Sequence, residues 1–174
     1  MINKILIAVD RSQNSKSVFS TAVSLAKTTG SDLMLLHVLS VKEEDHPLTP
    51  TYTYYPIVEE YNYETYQKEY AKYEQRGIEF LQNLTQEATA AGVKTEFTQL
   101  SGNPGRMICQ LASNWSADLI LVGSRGLKGL KEMFLGSVSN YVIHHAPCSV
   151  LIVRNVSTES EPMSSTKAVS EQQL

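Results

Sequence analysis

The feature that most limits how this chain can fold is the short apolar run Ile5-Leu6-Ile7-Ala8-Val9, and the return of such runs at helix-length intervals. A run without polar interruption suits a strand covered on both faces, as in a parallel sheet between two layers of helix. A second run, Asp32 to Val38, follows after one helical interval. In that interval Val18, Ala22, Leu25 and Ala26 recur at helical spacing, and the pattern stops at Thr29-Gly30. Ser15 is the expected cap of this helix. One helix is the connection that two parallel strands need, and such crossovers are right-handed. Three further strands are expected over Val93 to Leu100, Ala117 to Val122 and Ser149 to Val153. Among them lie a long helix from roughly Val58 to Ala91, a helix opened by Pro104 that stops near Asn114, and a short helix from Ser137 to His145.

Strands alternating with helices specify an α/β fold: an open, five-stranded, mostly parallel sheet with helices on both faces, Rossmann-like in plan. In such sheets ligands sit beyond the carboxyl ends of the strands, where the winding reverses. With strand order 3-2-1-4-5, the ends of the first and fourth strands are neighbours. Asp10 and Gly123 then belong to one site.

At 174 residues the chain suits one domain, expected over residues 1–154. That domain carries an insertion over about residues 40–57, irregular because Pro47, Pro50 and Pro56 exclude a helix interior. Residues 155–174 are poor in apolar side chains and rich in Ser, Thr, Glu and Gln, the composition of a disordered tail. A net charge of −3 argues against a nucleic-acid partner, which requires a basic face. No apolar stretch approaches the roughly 20 residues that cross a bilayer, so no membrane partner is expected. Met1-Ile2-Asn3-Lys4 runs straight into a strand without a secretory signal, and the expected location is cytoplasmic. Cys109 and Cys148 form neither a disulfide framework nor a metal-ligand pattern; Cys148 reads as packing beside the fifth strand.

The segment after the fourth strand carries the chemistry. Gly123-Ser124-Arg125-Gly126 is followed, after nine residues, by Gly136-Ser137-Val138-Ser139 at the start of a helix. Glycines let a backbone approach an anion closely, and the first amides of a helix have no intrahelical acceptor. The helix dipole adds positive potential there. Arg125, Lys128 and Lys131 stand in the same segment against the single acid Glu132. Phosphate is the ligand such a loop suits. The spacing matches neither the P-loop nor the Gly-x-Gly-x-x-Gly fingerprint. The plainer alternative is a βα connection whose glycines serve only tight turns.

An Asp after the first strand and Gly-x-x-Gly-x9-Gly-Ser after the fourth resemble the universal stress protein family, in its ATP-binding branch. Supporting pieces are Ile5 to Asp10, Leu36-His37-Val38, Gly102-Asn103-Pro104, Leu121 to Gly126 and Gly136 to Ser139. The ending Ala146-Pro147-Cys148-Ser149-Val150-Leu151-Ile152-Val153 is similar to the family's, with the Cys-Pro order reversed. The resemblance implies that Ala8, Val9 and Asp10 flank the nucleoside, with the Asp10 carboxylate accepting from ribose hydroxyls. It implies that the Val38 backbone reads the adenine edge. Val122, Gly123, Arg125 and Gly126 would wrap the ribose and first phosphates. Gly136, Ser137, Val138 and Ser139 would present amides and hydroxyls to the outer phosphates. The implied cofactor is ATP, with Mg²⁺ held through its phosphates and water. A homodimer through the fifth strand, Ser149 to Val153, is implied as well, since an apolar edge must be paired or covered.

Plainer readings stand beside these roles. Asp10 could hold its own loop or cap the first helix, and Ser137 could be an N-cap only. His37 reads as a buried strand-end residue rather than a base. Tyr63, Tyr66, Tyr70 and Tyr73, extended by Phe80 and Leu84, form a stripe that packs a helix on the sheet. Tyr52, Tyr54 and Tyr55 lie in the insertion, which could cover the mouth of the cleft or join a neighbouring subunit. No nucleophile motif or metalloprotease motif is present, so any ATP hydrolysis is expected to be slow. The function expected is a nucleotide-dependent binding module in stress signalling, its downstream protein partner unidentified. The alternatives are a slow ATPase or autophosphorylating phosphotransferase, an AMP or cyclic-nucleotide sensor, and a nucleotide-free dimeric scaffold.

Overall fold

A computed structural model of the chain describes residues 1–41, 46–47, 56–124 and 135–154. The elements follow in strict alternation: β1 (Lys4–Ala8), α1 (Asn14–Thr29), β2 (Asp32–Leu39), α2 (Pro56–Ala90), β3 (Thr95–Ser101), α3 (Pro104–Trp115), β4 (Leu119–Gly123), α4 (Ser137–His145) and β5 (Ser149–Val153). The strands form one sheet in the order β3-β2-β1-β4-β5, and every pairing is parallel. Expectation and structure agree on this order.

Alternate residues of each strand feed opposite cores. Ile5, Ile7, Leu33, Leu35, Leu119 and Leu121 pack beneath α1 and α2. Leu6, Met34, Leu36, Ile120 and Val122 pack beneath α3 and α4. Both faces are apolar, which is why β1, β2 and β4 read as uninterrupted runs. The helix signals also act locally. Gly30 ends α1 at φ 70°, a conformation glycine adopts without a Cβ clash. Pro104 opens α3, where Asn103 accepts the Arg106 N–H at 3.2 Å.

Three expectations are corrected. Ser15 is not the cap of α1: the N-cap is Gln13, without a side-chain bond, and Ser15 lies inside the helix with its hydroxyl tied to Asp10. Ser15 Oγ accepts the Asp10 N–H in place of a helix amide, and its proton goes to the Asp10 carboxylate. Secondly, α2 begins at Pro56 rather than Val58, because proline is well suited to a first helical turn.

The tyrosine stripe is the third. Tyr73 is fully buried, Tyr66 and Tyr70 are half-buried, and Tyr63 is 58% exposed. At about 1.5 Å per residue the 35-residue α2 is about 52 Å long, roughly twice the span of β2. Running antiparallel to the strands, α2 meets their carboxyl ends at Tyr73, whose hydroxyl donates to the Ser40 carbonyl. Its first half overhangs those ends and has no sheet beneath it. From Tyr73 onward Gly77, Leu81 and Ala88 complete the buried face. Of the expected insertion only His46, Pro47, Pro56 and the residues adjoining β2 and α2 are described; Tyr52, Tyr54 and Tyr55, like the tail 155–174, lie outside the described residues.

Candidate functional site

Winding reverses between β1 and β4, which pair only as far as Ile7 with Leu121. Beyond that register Asp10 leaves β1 and Gly123 ends β4, so the two halves of the expected site meet at one sheet edge. The position is the topological switch point of the fold.

Asp10 is held in place by its own loop. Its Oδ1 accepts the Ser12 N–H at 3.0 Å, the Ser12 hydroxyl, and the Ser15 hydroxyl at 2.7 Å. The Asp10 N–H donates to Ser15 Oγ at 2.8 Å. All three acceptor contacts fall on one carboxylate oxygen; Oδ2 has no partner among the described residues. Asp10 therefore holds its loop and keeps an oxygen for hydroxyl donors. Ser12 and Ser15 hold Asp10 in place, and sequence reasoning did not assign them to the site. The signal was an Asp followed two residues later by Ser, the pattern of an Asx turn.

Val38 exposes backbone polarity to the same crevice. Successive strand residues direct their N–H and C=O to opposite neighbours. The Leu36 carbonyl accepts the Val9 N–H at 2.9 Å on the β1 side, whereas the Leu39 carbonyl accepts the Gly102 N–H on the β3 side. Val38 therefore directs its N–H and C=O toward β1. Among the described residues the β1–β2 ladder closes at the Val9–Leu36 bond. The Val38 donor and acceptor lie past the point where β1 has turned away, and this pair matches the edge of a planar heterocycle. Ala8 and Val9 form the adjoining wall, Val9 at 4% exposure.

The glycine segment returns on itself. The Gly136 N–H donates to the Ser124 carbonyl at 2.9 Å, and the Ser124 N–H donates to the Val153 carbonyl at 2.8 Å. Arg125 and Gly126 lie outside the described residues, but the two ends of their loop meet beside β5. Gly136 is the N-cap of α4, so Ser137 is the first helical residue and not the cap. Ser137 is exposed, Val138 half-buried and Ser139 buried. The Ser139 hydroxyl donates to the Gly123 carbonyl at 2.5 Å and fastens α4 to the end of β4. Its amide, with those of Ser137 and Val138, belongs to the first turn and has no intrahelical acceptor. The donors offered at the start of α4 are thus amides, with the exposed Ser137 hydroxyl beside them. Val122 is buried under α3 and α4 and supports the turn.

Other candidates are structural. His37 is 1% exposed, pairs through Nδ1 with Gln99 Oε1 at 3.0 Å and meets Phe80 edge-on. Burial pushes the Cys109 and Cys148 thiols above their ordinary pKa, so neither is an activated nucleophile. His145 bonds the Tyr141 carbonyl and stacks on the Tyr141 ring. A cavity of about 490 Å³ opens between α1 and α2 beside the Asp10 loop, lined by Arg11, Ser12, Phe19, Phe80 and Leu84 among others. It lies on the helix side of that loop, away from α4. Among the described residues no His, Cys, Asp or Glu cluster is arranged to hold a metal, and no helix is long and apolar enough to cross a membrane.

The family model described as the universal stress protein family matches residues 1–154. Universal stress protein Sll1388 of Synechocystis is 41% identical over 153 residues, covering 87% of this chain and 97% of the relative. Universal stress protein YxiE of Bacillus subtilis is 38% identical over 154 residues, covering 88% and 100%. Among solved structures, hypothetical protein MJ0577 superposes with a TM-score of 0.71 at 26% identity, covering 91% of this chain and 99% of that one. A universal stress protein in complex with cAMP (TM-score 0.59, 22% identity, 88% and 97% covered) shares the fold. So does one from Archaeoglobus fulgidus in complex with dAMP (TM-score 0.55, 22% identity, 87% and 98% covered).

Proposed function

The chain belongs to the universal stress protein family, and from that premise we propose that it is an ATP-binding member, a nucleotide-dependent binding module. One observation carries this reading. A carboxylate anchored through one oxygen, a strand backbone open toward the crevice, and the first turn of a helix converge at one switch point. These are the three recognitions that a ribose, a base edge and a phosphate chain require.

In this reading Asp10 accepts from ribose hydroxyls, Val38 meets the adenine edge, and Ala8 and Val9 line the nucleoside. Gly123, Arg125 and Gly126 wrap the ribose and first phosphates. The amides of Ser137, Val138 and Ser139, beyond Gly136, receive the outer phosphates. Mg²⁺ is held through the phosphates and water, adding charge neutralisation when bound. No side chain is assigned a catalytic role. Occupancy changes the surface offered to a protein partner, since a ligand shifts a protein toward the state it binds better. We also assign the β5 edge to a two-fold homodimer.

The test is to purify the protein, denature it and identify released nucleotide by chromatography, with Gly136→Val as control. Stoichiometric ATP, absent from the control, is the expected result. Protein that carries none and binds no added ATP with Mg²⁺ overturns the reading. A second reading, AMP or a cyclic nucleotide as ligand, is favoured by the related folds solved in complex with cAMP and dAMP. The same chromatogram distinguishes the two.

A further inference from the structure

We propose that Tyr73 is a positioning residue that sets base and ribose selectivity by fixing both walls of the crevice at once. The inference rests on the nucleotide reading above and assigns a role to a residue outside the glycine segment. Tyr73 stands where α2 passes the carboxyl ends of the strands, and it is fully buried. Its hydroxyl donates to the Ser40 carbonyl at 3.4 Å, two residues beyond Val38. Its ring lies under the Arg11 guanidinium, 5.9 Å from the ring centroid, one residue beyond Asp10. His46 meets the ring edge-on at 5.3 Å, and Tyr70 packs beside it at 5.9 Å.

One side chain therefore touches the two segments on which base and ribose recognition depend. The Asp10–Arg11 segment has left β1, whereas Val38 and Leu39 still pair with β3 and have no ladder bonds on the β1 side past Val9 and Leu36. A segment outside a ladder, or laddered on one side only, is located in part by its side-chain contacts, and small displacements of a donor–acceptor pair degrade selectivity. The hydroxyl governs the Val38–Ser40 wall; the ring governs the Asp10–Arg11 wall. A cation over a ring and a hydrogen bond are separable by mutation.

The experiment measures affinities of the full chain for Mg·ATP, Mg·GTP, 2′,3′-dideoxy-ATP and inorganic tripolyphosphate. It compares wild type, Tyr73→Phe and Arg11→Met. Tyr73→Phe removes only the hydroxyl and is expected to lower the preference for ATP over GTP by about three- to tenfold. Its preference for ATP over the dideoxy analogue should stay at the wild-type value. Arg11→Met, an exposed change that leaves the core untouched, is expected to show the opposite pattern. It should lose ribose discrimination about threefold and keep base discrimination. Tripolyphosphate affinity should not move in either. A uniform loss across all four ligands, or unchanged selectivity in both variants, overturns the role of Tyr73. Wild type that binds none of the nucleotides overturns the nucleotide reading itself, and this inference falls with it. Should Tyr73→Phe fail to fold, Arg11→Met alone decides: retained ribose discrimination sinks the proposal.

Discussion

The Asp118 carboxylate accepts the backbone N–H groups of Asn3 and Lys4 at 2.8 and 3.0 Å, tying the N-terminus to the start of β4. These two bonds hold its pKa below the ordinary carboxylate value. A lowered folded-state pKa contributes stability that is fully present above the unfolded value and is lost as pH falls through the folded one. Asp118→Ala is therefore expected to lower the urea midpoint at pH 7, with the gap to wild type closing as pH falls below the ordinary carboxylate range. A gap that persists at low pH would show that the carboxylate charge is not its source. At this scale the sequence put Asp10 just past the first strand and Ser139 in the first turn of a helix, where the structure has them, but did not show how their polar atoms are used. An Asp at a strand end reads equally as a loop anchor or a ligand, and its two oxygens allow both. The hydroxyl of Ser139 goes to Gly123, sixteen residues away, a pairing with no local signature.

Helices approach their neighbours through glycines that a periodicity argument passes over. A Cβ on Gly105 would lie 2.7 to 3.0 Å from the ring and Cβ of Tyr141, where α3 crosses α4. That ring is pinned by the stack on His145 at 4.0 Å, so it cannot swing clear. Gly105→Ala gains about 0.5–1 kcal/mol of helix preference. Against that, overpacking costs about 1–3 kcal/mol, and the expected outcome is a net loss read as a lower urea midpoint. Equal or higher stability would mean the two helices have room to separate. Gly77 in α2 is a similar approach, since a Cβ there would meet Gln99 Oε1 at 2.0 Å and His37 Nδ1 at 2.8 Å. Strand interiors were legible because double-sided burial demands apolar runs. Their ends moved by one or two residues because ladder bonds, not hydropathy, decide where a strand stops. The tyrosine stripe was legible as a helix but not as a packed face, since the sheet ends level with Tyr73.

Across the molecule the outer strand β5 pairs only with β4 among the described residues. Leu151 is 39% exposed on it, and Ile143 on neighbouring α4 is 45% exposed. Exposed apolar side chains along a free strand invite a second copy. If the proposed two-fold pairing is right, Leu151→Glu sets like charges against each other at the axis and yields monomers in sedimentation. The isolated chain should retain its helical circular dichroism. Wild type that sediments as a monomer removes the assignment.

Read alone, the amino-acid order determines the alternation of strands and helices and a parallel sheet covered on both faces. Those outcomes follow from burial and chain connectivity, which act through composition and spacing over a few residues. Tertiary structure alone decides that Ser15 serves Asp10, that Ser139 braces β4, and that Tyr73 joins the ends of β1 and β2. Ser15 lies only five residues from Asp10, but the other two depend on which polar atom or sheet edge arrives from a distant part of the chain. Hydrogen bonds and close packing are settled by that meeting, within tenths of an ångström, and no local pattern encodes it.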